Sequence, residues 1–362
     1  MVMATYNGAR GWHDPTLLSH QDLSISPAAM VFHYGQAIFE GLKAYRLVNR
    51  ELALFRPTDN ADRFRRSAIR MSMPPVSVDL FIDSCVELVR ADHEWVPNSP
   101  GQSLYLRPFM IASEAQLGVR AAREYLFIVI ASPVDPFFSA EPEPIKTWIT
   151  TDYTRAAPGG TGTVKCAGNY AASLLAQSEA TAAGCDQVVW LDSVERRWVE
   201  ELGGMNLYFV KSPRGQQPIL LTPRLTDTIL NGITRDSVAT IASELGYRVE
   251  DGAIDINEVL VCCETGEITE AFACGTAAVV APIGELHRVD GTWVLGDGRP
   301  GKVTMAIREA LLNIQHGVTP DTHGWNMKIG DWIFPVADRP AGYRRDKPLR
   351  TAGPDYDGHL TE

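Results

Sequence analysis

Residues 155–177 read RAAPGGTGTVKCAGNYAASLLAQ, and the fold is decided by how this stretch is understood. Gly159, Gly160 and Gly162 form a mobile turn, and Lys165 follows it directly before an Ala-rich helix whose expected cap is Asn169. Lysine ammonium groups ordinarily stay in water. Val164, Cys166 and Ala167 offer Lys165 an apolar neighbourhood instead, and a desolvated ammonium has its pKa lowered, which is how an amine becomes a nucleophile. Taken alone, the stretch reads more readily as a lysine snorkelling out of the first helical turn. GGTGTVK also fails the GxxxxGK[ST] phosphate-loop pattern, because a valine separates the last glycine from the lysine and a cysteine follows it.

Upstream, strands are expected at Met30 to Tyr34, Leu52 to Phe55 and Tyr125 to Ser132. Helices are expected from Asp59, with Phe64, Ala68 and Met71 on one face, and from Asp79 to His93. Four prolines within residues 133–144 exclude both a helix and a sheet interior. They suggest a small α/β domain at 1–135, an interdomain loop at 136–145 and a large domain at 146–326. Beyond the loop, strands at Ile145 to Thr151, Gln187 to Leu191, Asn206 to Val210 and Ile219 to Thr222 alternate with helices near Asn169 to Ala183 and Arg235 to Leu245. Residues 327–362, rich in Pro, Gly, Asp and Arg, are expected to form a surface-draped or partly disordered tail.

The 362 residues carry a net charge of −11 and are 45% hydrophobic, enough for about two domains with their own cores. Excess negative charge repels nucleic acid and anionic lipid, leaving a small-molecule substrate as the leading class. Six cysteines without a CxxC pair suit buried thiols in a reducing compartment rather than a disulfide scaffold. Eight scattered histidines lack metal-ligand spacing, so no metal site is expected. No secretory signal is visible, and no apolar run approaches the roughly 20 residues that span a bilayer. The expected location is cytoplasmic.

Three further stretches suit an anion. Arg63, Arg66 and Arg70 fall on adjacent turns of one helix. NGITRDSVATIA starts a helix at Thr234, which points the amides of Ile233 and Thr234 outward. ACGTAAVV offers a second turn of amides and the Thr276 hydroxyl. Each alone is an ordinary basic face, cap or tight turn. Together they suit a bound phosphate.

HYGQAIFEGLKAYR (33–46), LFRPTDNADRFRRSAIRM (54–71), LYLRPF (104–109), GGTGTVKCAGNYAASLLAQ (159–177), EELGGMN (200–206), NGITRDSV (231–238) and EITEAFACGTAAV (267–279) follow one another in a telling order. In order and spacing, this set resembles the branched-chain amino-acid aminotransferases, pyridoxal-phosphate enzymes of fold type IV, and the actinobacterial members in particular. The resemblance covers roughly residues 2–325. It implies an α+β fold in which a small α/β N-terminal domain and a larger pseudo-barrel C-terminal domain hold the cofactor between them.

The same resemblance implies roles. Lys165 would be the Schiff-base lysine and proton carrier, Glu201 would face the pyridine nitrogen, and Tyr170 would bond the ring's 3′ oxygen. Arg63, Ile233, Thr234 and Thr276 would hold the phosphate. Tyr34, Phe39, Tyr105 and Arg107 would form the substrate pocket, with the Thr276 and Ala277 amides taking the α-carboxylate and Arg107 the distal carboxylate of glutamate. It further implies ping-pong exchange of an amino group between Leu, Ile or Val and 2-oxoglutarate, in a homodimer. Phe137 and Phe138 stand where relatives often carry a Tyr-Phe pair, and the tail has no recognised counterpart. Two other readings therefore stay open: a transaminase of this fold diverted to an unusual amino acid in secondary metabolism, and a non-catalytic pyridoxal-phosphate-binding protein.

Overall fold

A computed structural model of the chain describes residues 1–99, 101–135, 142–212 and 217–330. Phe137, Phe138 and most of the tail lie outside these residues. Among the described residues two curled sheets carry the architecture. The first runs in the order Asn326–Lys328, Leu52–Phe55, Leu42–Arg46, Ser103–Ala112, Glu124–Val134, Val2–Asn7 and Gly11–Leu17, with Ala37–Phe39 also paired to Ser103–Ala112. The second runs Val199–Leu202, Gln187–Leu191, Ile145–Ile149, Val279–Arg288, Ile268–Gly275, Asn206–Lys211, Ile219–Pro223 and Arg248–Gly252, with Gly291–Val294 paired to Val279–Arg288.

Alternation along Ser103–Ala112 aims the site. Leu104, Leu106, Met110 and Ala112 are buried in the first core, so the period of two turns Tyr105, Arg107 and Phe109 to the opposite face. Helix Pro57–Arg70 begins on a proline, whose missing N–H costs nothing in a first turn, and buries Ala61, Phe64 and Ala68. Phe64 packs against Phe81 and Phe127 at ring separations of 5.5 Å each, which fixes the helix on the sheet.

Three long-range contacts tie the sheets together. The chain around Lys165 returns to the first sheet, where Ile38 and Cys166 form a bridge and the Phe39 N–H donates to the Lys165 carbonyl at 3.0 Å. Lys43 donates to the Ala277 carbonyl at 2.8 Å. Arg56 reaches Asp236 at 2.7 Å.

Several expectations need correction. Met30–Tyr34 is a short helix, not a strand; only Met30 is buried, and Gly35 ends the turn at φ 62°. A five-residue apolar run does not distinguish the two by periodicity. The expected helix from Asn169 is two helices, Ala167–Ala171 and Leu174–Ala182, and Asn169 is not a cap. Its amide instead laces the glycine turn, donating to the carbonyls of Thr161 at 2.7 Å and Val164 at 2.9 Å. At the break, the Ser173 hydroxyl donates to the Tyr170 carbonyl and competes with the helical ladder. The expected tail starts with ordered structure: Asn326–Lys328 pairs with Leu52–Phe55, and Ile329 is buried. No helix among the described residues is long and apolar enough to cross a membrane.

Candidate active site

Lys165 lies where the glycine turn meets helix Ala167–Ala171. Its backbone N–H donates to the Ser67 hydroxyl at 3.1 Å, while its carbonyl accepts from Phe39, so the main chain is held from both sides. Its ammonium donates to the Tyr170 hydroxyl at 2.7 Å and sits 4.8 Å from the centre of the Phe39 ring. Burial, reinforced by the like charge of Arg63, pushes the Lys165 amine down to about 8 from an ordinary 10.5.

Arg63 is 5% exposed and clamped by Glu40, Nε to Oε1 at 2.7 Å and a second guanidinium nitrogen to Oε2 at 2.9 Å. Burial opposes the Arg63 charge, but the fully buried Glu40 more than restores it, and the pKa rises. The guanidinium also donates to the Asn231 carbonyl at 3.2 Å, one residue before the Gly232 cap of helix Ile233–Glu244. Gly232 makes no side-chain cap, so the first amides of this helix, including those of Ile233 and Thr234, remain open to an anion. Any Cβ at Gly232 would fall 1.9 Å from Asn206 Oδ1, which explains glycine there. The three-arginine face does not form. Arg66 is exposed, and Arg70 spends its guanidinium on the carbonyls of Gly159 and Gly160, one turn and more beyond Arg63 along the helix axis.

Glu201 is 2% exposed in strand Val199–Leu202. It accepts from the Leu230 N–H at 2.5 Å and pairs with Arg155 at 3.1 Å. Burial raises its carboxyl to about 7 despite Arg155 and the nearby Lys165 charge. Tyr170 is likewise raised, by burial and then by Glu201. Its ring lies 4.8 Å from that of Phe39 and close to Gly204, where an added Cβ would come within 3.1 Å of it.

Arg107 stacks over Phe39 at 4.8 Å and over Tyr105 at 5.4 Å, and donates to the Tyr105 hydroxyl at 3.2 Å. Its buried Nε has no hydrogen-bond partner among the described residues. A buried guanidinium nitrogen left bare beside two aromatic rings fits a carboxylate with an apolar body. Tyr105 requires Gly41, since a Cβ there would fall 2.0 Å from its hydroxyl. Thr276 and the exposed Ala277 form the turn between Ile268–Gly275 and Val279–Arg288, where Lys43 holds the Ala277 carbonyl and Met205 packs against Gly275.

The structure therefore brings Lys165, Phe39, Tyr170, Arg107, Tyr105, Arg63 and Glu201 together through direct contacts and shared fields. Ile233 and Thr234 join them through Asn231. Tyr34 is apart, 40% exposed on its short helix with its hydroxyl on the Leu117 carbonyl. The sequence alone does not single out Glu40, Arg155 or Lys43. Each lies within a stretch quoted above, but only the long-range pairing of buried charge gives it a role. Among the described residues no group of three His, Cys, Asp or Glu gathers to hold a metal ion.

The family model for amino-transferase class IV matches residues 37–286. The chain is 52% identical over 326 residues to a probable branched-chain-amino-acid aminotransferase of Streptomyces coelicolor, covering 90% of this chain and 89% of that one. It is 47% identical over 331 residues to the branched-chain-amino-acid aminotransferase of Mycobacterium tuberculosis, covering 91% and 90%. Among solved structures, the branched-chain amino acid aminotransferase of Escherichia coli superposes with a TM-score of 0.74 at 28% identity, covering 91% of this chain and 99% of that one. The branched-chain amino acid aminotransferase of Thermobaculum terrenum, in its PLP-bound holo-form, does so with 0.73 at 25%, covering 91% and 98%.

Because the folded pKa of Lys165 is about 8, against 10.5 in the unfolded chain, burying its charge costs stability wherever the unfolded chain is protonated. The cost is complete below pH 8 and gone above 10.5. Lys165→Met is expected to stabilise the cofactor-free protein at pH 7 by up to about 3 kcal/mol, a gain that disappears toward pH 10.5. Thermal melts of both proteins across pH check this, and a gain independent of pH contradicts it.

Proposed function

The chain belongs to the class IV aminotransferases, fold type IV enzymes, and from that premise we propose that it moves the amino group between Leu, Ile or Val and 2-oxoglutarate with pyridoxal 5′-phosphate. The observation that carries this reading is the desolvated Lys165 amine, hydrogen-bonded to Tyr170 with Arg63 and Glu201 in its field. The residues fit the cofactor. Arg63, the open amides of Ile233 and Thr234, and Thr276 would hold its phosphate; Tyr170 would meet the ring's 3′ oxygen and Glu201 the ring nitrogen. When bound, the cofactor supplies an electron sink for negative charge developing at the substrate Cα.

The chain's own groups do the rest. Lys165 Nζ, neutral in a useful fraction near pH 8, accepts the Cα proton and returns it. The Tyr170 hydroxyl keeps Nζ oriented, because Nζ donates to it and leaves its lone pair toward the substrate. Glu201, raised to about 7 by burial although Arg155 and Lys165 oppose the shift, is only partly ionised at neutral pH, and its carboxylate would form fully beside a further cation such as a protonated ring nitrogen. Arg63 keeps its charge through Glu40 rather than through water, so it can meet a phosphate without further desolvation.

Substrate side chains have two kinds of wall. The Phe39 and Tyr105 rings accept aliphatic groups, and the unpartnered Nε of Arg107 accepts the distal carboxylate of glutamate or 2-oxoglutarate. The Thr276 and Ala277 amides, steadied by Lys43, would take the α-carboxylate common to both. One pocket serving both substrates in turn gives ping-pong kinetics. The unit boundary near residues 133–145, a homodimer and a cytoplasmic location complete the proposal.

Purified protein supplied with pyridoxal phosphate is expected to absorb in the visible, to bleach with L-leucine or L-glutamate, and to recover with a 2-oxo acid. Lys165→Ala is expected to lose turnover by at least about a thousandfold. No band, or an unchanged one in Lys165→Ala, refutes the cofactor assignment; bleaching by glutamate alone refutes the branched-chain assignment.

Arg107→Met separates the two walls. We expect its KM for 2-oxoglutarate to rise about tenfold or more, with that for L-leucine nearly unchanged. Equal changes for both substrates in steady-state assays contradict the division.

A further inference from the structure

Behind Lys43, which holds the Ala277 turn, stands a cation that the proposed reaction does not use. Lys43 is 4% exposed and feels the like charge of Arg308, which adds to burial in pushing its amine down to about 8. Arg308, on helix Lys302–Gln315, is 7% exposed, and among the described residues it makes no hydrogen bond and no ion pair. Burial alone lowers its pKa. Past the end of that helix, His316 stacks edge-on against Tyr45 at 5.0 Å and feels the charge of Lys43, which adds to burial in lowering its pKa.

Lys43 spends its ammonium on the Ala277 carbonyl, but a buried guanidinium with no anion beside it is costly and leaves a place for one. Arg63 and Arg155, the other buried arginines of the chain's interior, each have a glutamate. Among the described residues Arg308 has none.

Arg308 and His316 line a cleft of about 880 Å³ between helix Lys302–Gln315, the turn after Leu42–Arg46, and Asn98, Ser99 and Gly101. This is within the range of small-molecule sites. Arg46 and Arg50 also line it, against a single carboxylate among the described residues, Glu309, so a protein of net charge −11 presents a locally positive cleft. Arg46 is held in place by the carbonyls of His93 and Val96. Leu47, Leu312 and Val318 give it an apolar side, while Asn98, Ser99 and Asn313 add neutral polar groups.

We propose that this cleft binds a small organic carboxylate with a compact aliphatic body, the carboxylate on the unpaired guanidinium of Arg308 and the body against Leu47, Leu312 and Val318. Bare phosphate would satisfy the cations but leave the aliphatic wall wet. A long lipid chain would exceed the volume. The proposal is independent of the transaminase reading, since none of these residues touches the Lys165 cluster.

Calorimetry with 4-methylvalerate on the full-length protein as purified tests it; because the same probe fits the proposed pocket of Phe39, Tyr105 and Arg107, the event read is the one that Arg107→Met leaves unchanged. Arg308→Met keeps the side-chain stem and removes the charge. Val318→Trp, at a side chain 58% exposed, fills the cleft without disturbing the core. The unaltered protein is expected to show a binding event that weakens at least about tenfold in both variants, with unchanged thermal melts for Val318→Trp and at least about tenfold weaker binding of inorganic phosphate. Isotherms of both variants that superimpose on that of the unaltered protein overturn the site. Phosphate binding as tightly as 4-methylvalerate overturns the aliphatic half of the assignment.

Discussion

The ammonium of Lys165 has exchanged water for one phenol, one aromatic face and the field of a buried arginine, and the geometry of the site follows from holding it there. An amine in that position drifts toward its neutral form near pH 8. Keeping it in place needs a main chain that cannot retreat to solvent. Ser67 on the helix and Phe39 on the strand supply this by taking both backbone groups of the lysine, and Asn169 ties the preceding glycine turn to the helix that follows.

Charge is handled in pairs around this amine. Glu40 keeps Arg63 ionised in a dry interior, and Arg155 opposes the burial that would keep Glu201 protonated. Buried pairs of this kind contribute little net stability, because desolvation offsets most of their attraction. Their value here is placement. Each leaves one charged group aimed at a position where a ligand can complete it, Arg63 beside the open amides of helix Ile233–Glu244 and Glu201 beside Tyr170. The net charge of −11 therefore says little about the interior, where the buried cations Lys165, Arg63 and Arg155 gather.

Much of this is legible along the chain. The period of four and three in residues 57–70, the alternating strand Ser103–Ala112 and the seven ordered motifs lead to the family and to most of the cluster. What escapes is long-range. Nothing local says that Glu40 must meet Arg63 twenty-three residues on, or that Arg155, which also holds the Gly162 carbonyl of the turn beside it, must reach Glu201. Arg70 illustrates the converse. Its spacing from Arg63 suggests a shared ligand, but the carbonyls of Gly159 and Gly160 reach it first. Met30–Tyr34 and Asn169 defeat a local reading because short segments are decided by their neighbours: Gly35 in one case, and the glycine turn's own unpaired carbonyls in the other.

The central claim is that the fold, before any ligand arrives, holds the Lys165 amine out of water. Side-chain lysine NMR of the cofactor-free protein, with the Lys165 signal assigned by its loss in Lys165→Met, measures this directly. A titration midpoint near 8 is expected for that signal. A midpoint near the ordinary 10.5 would show a solvated ammonium and contradict it.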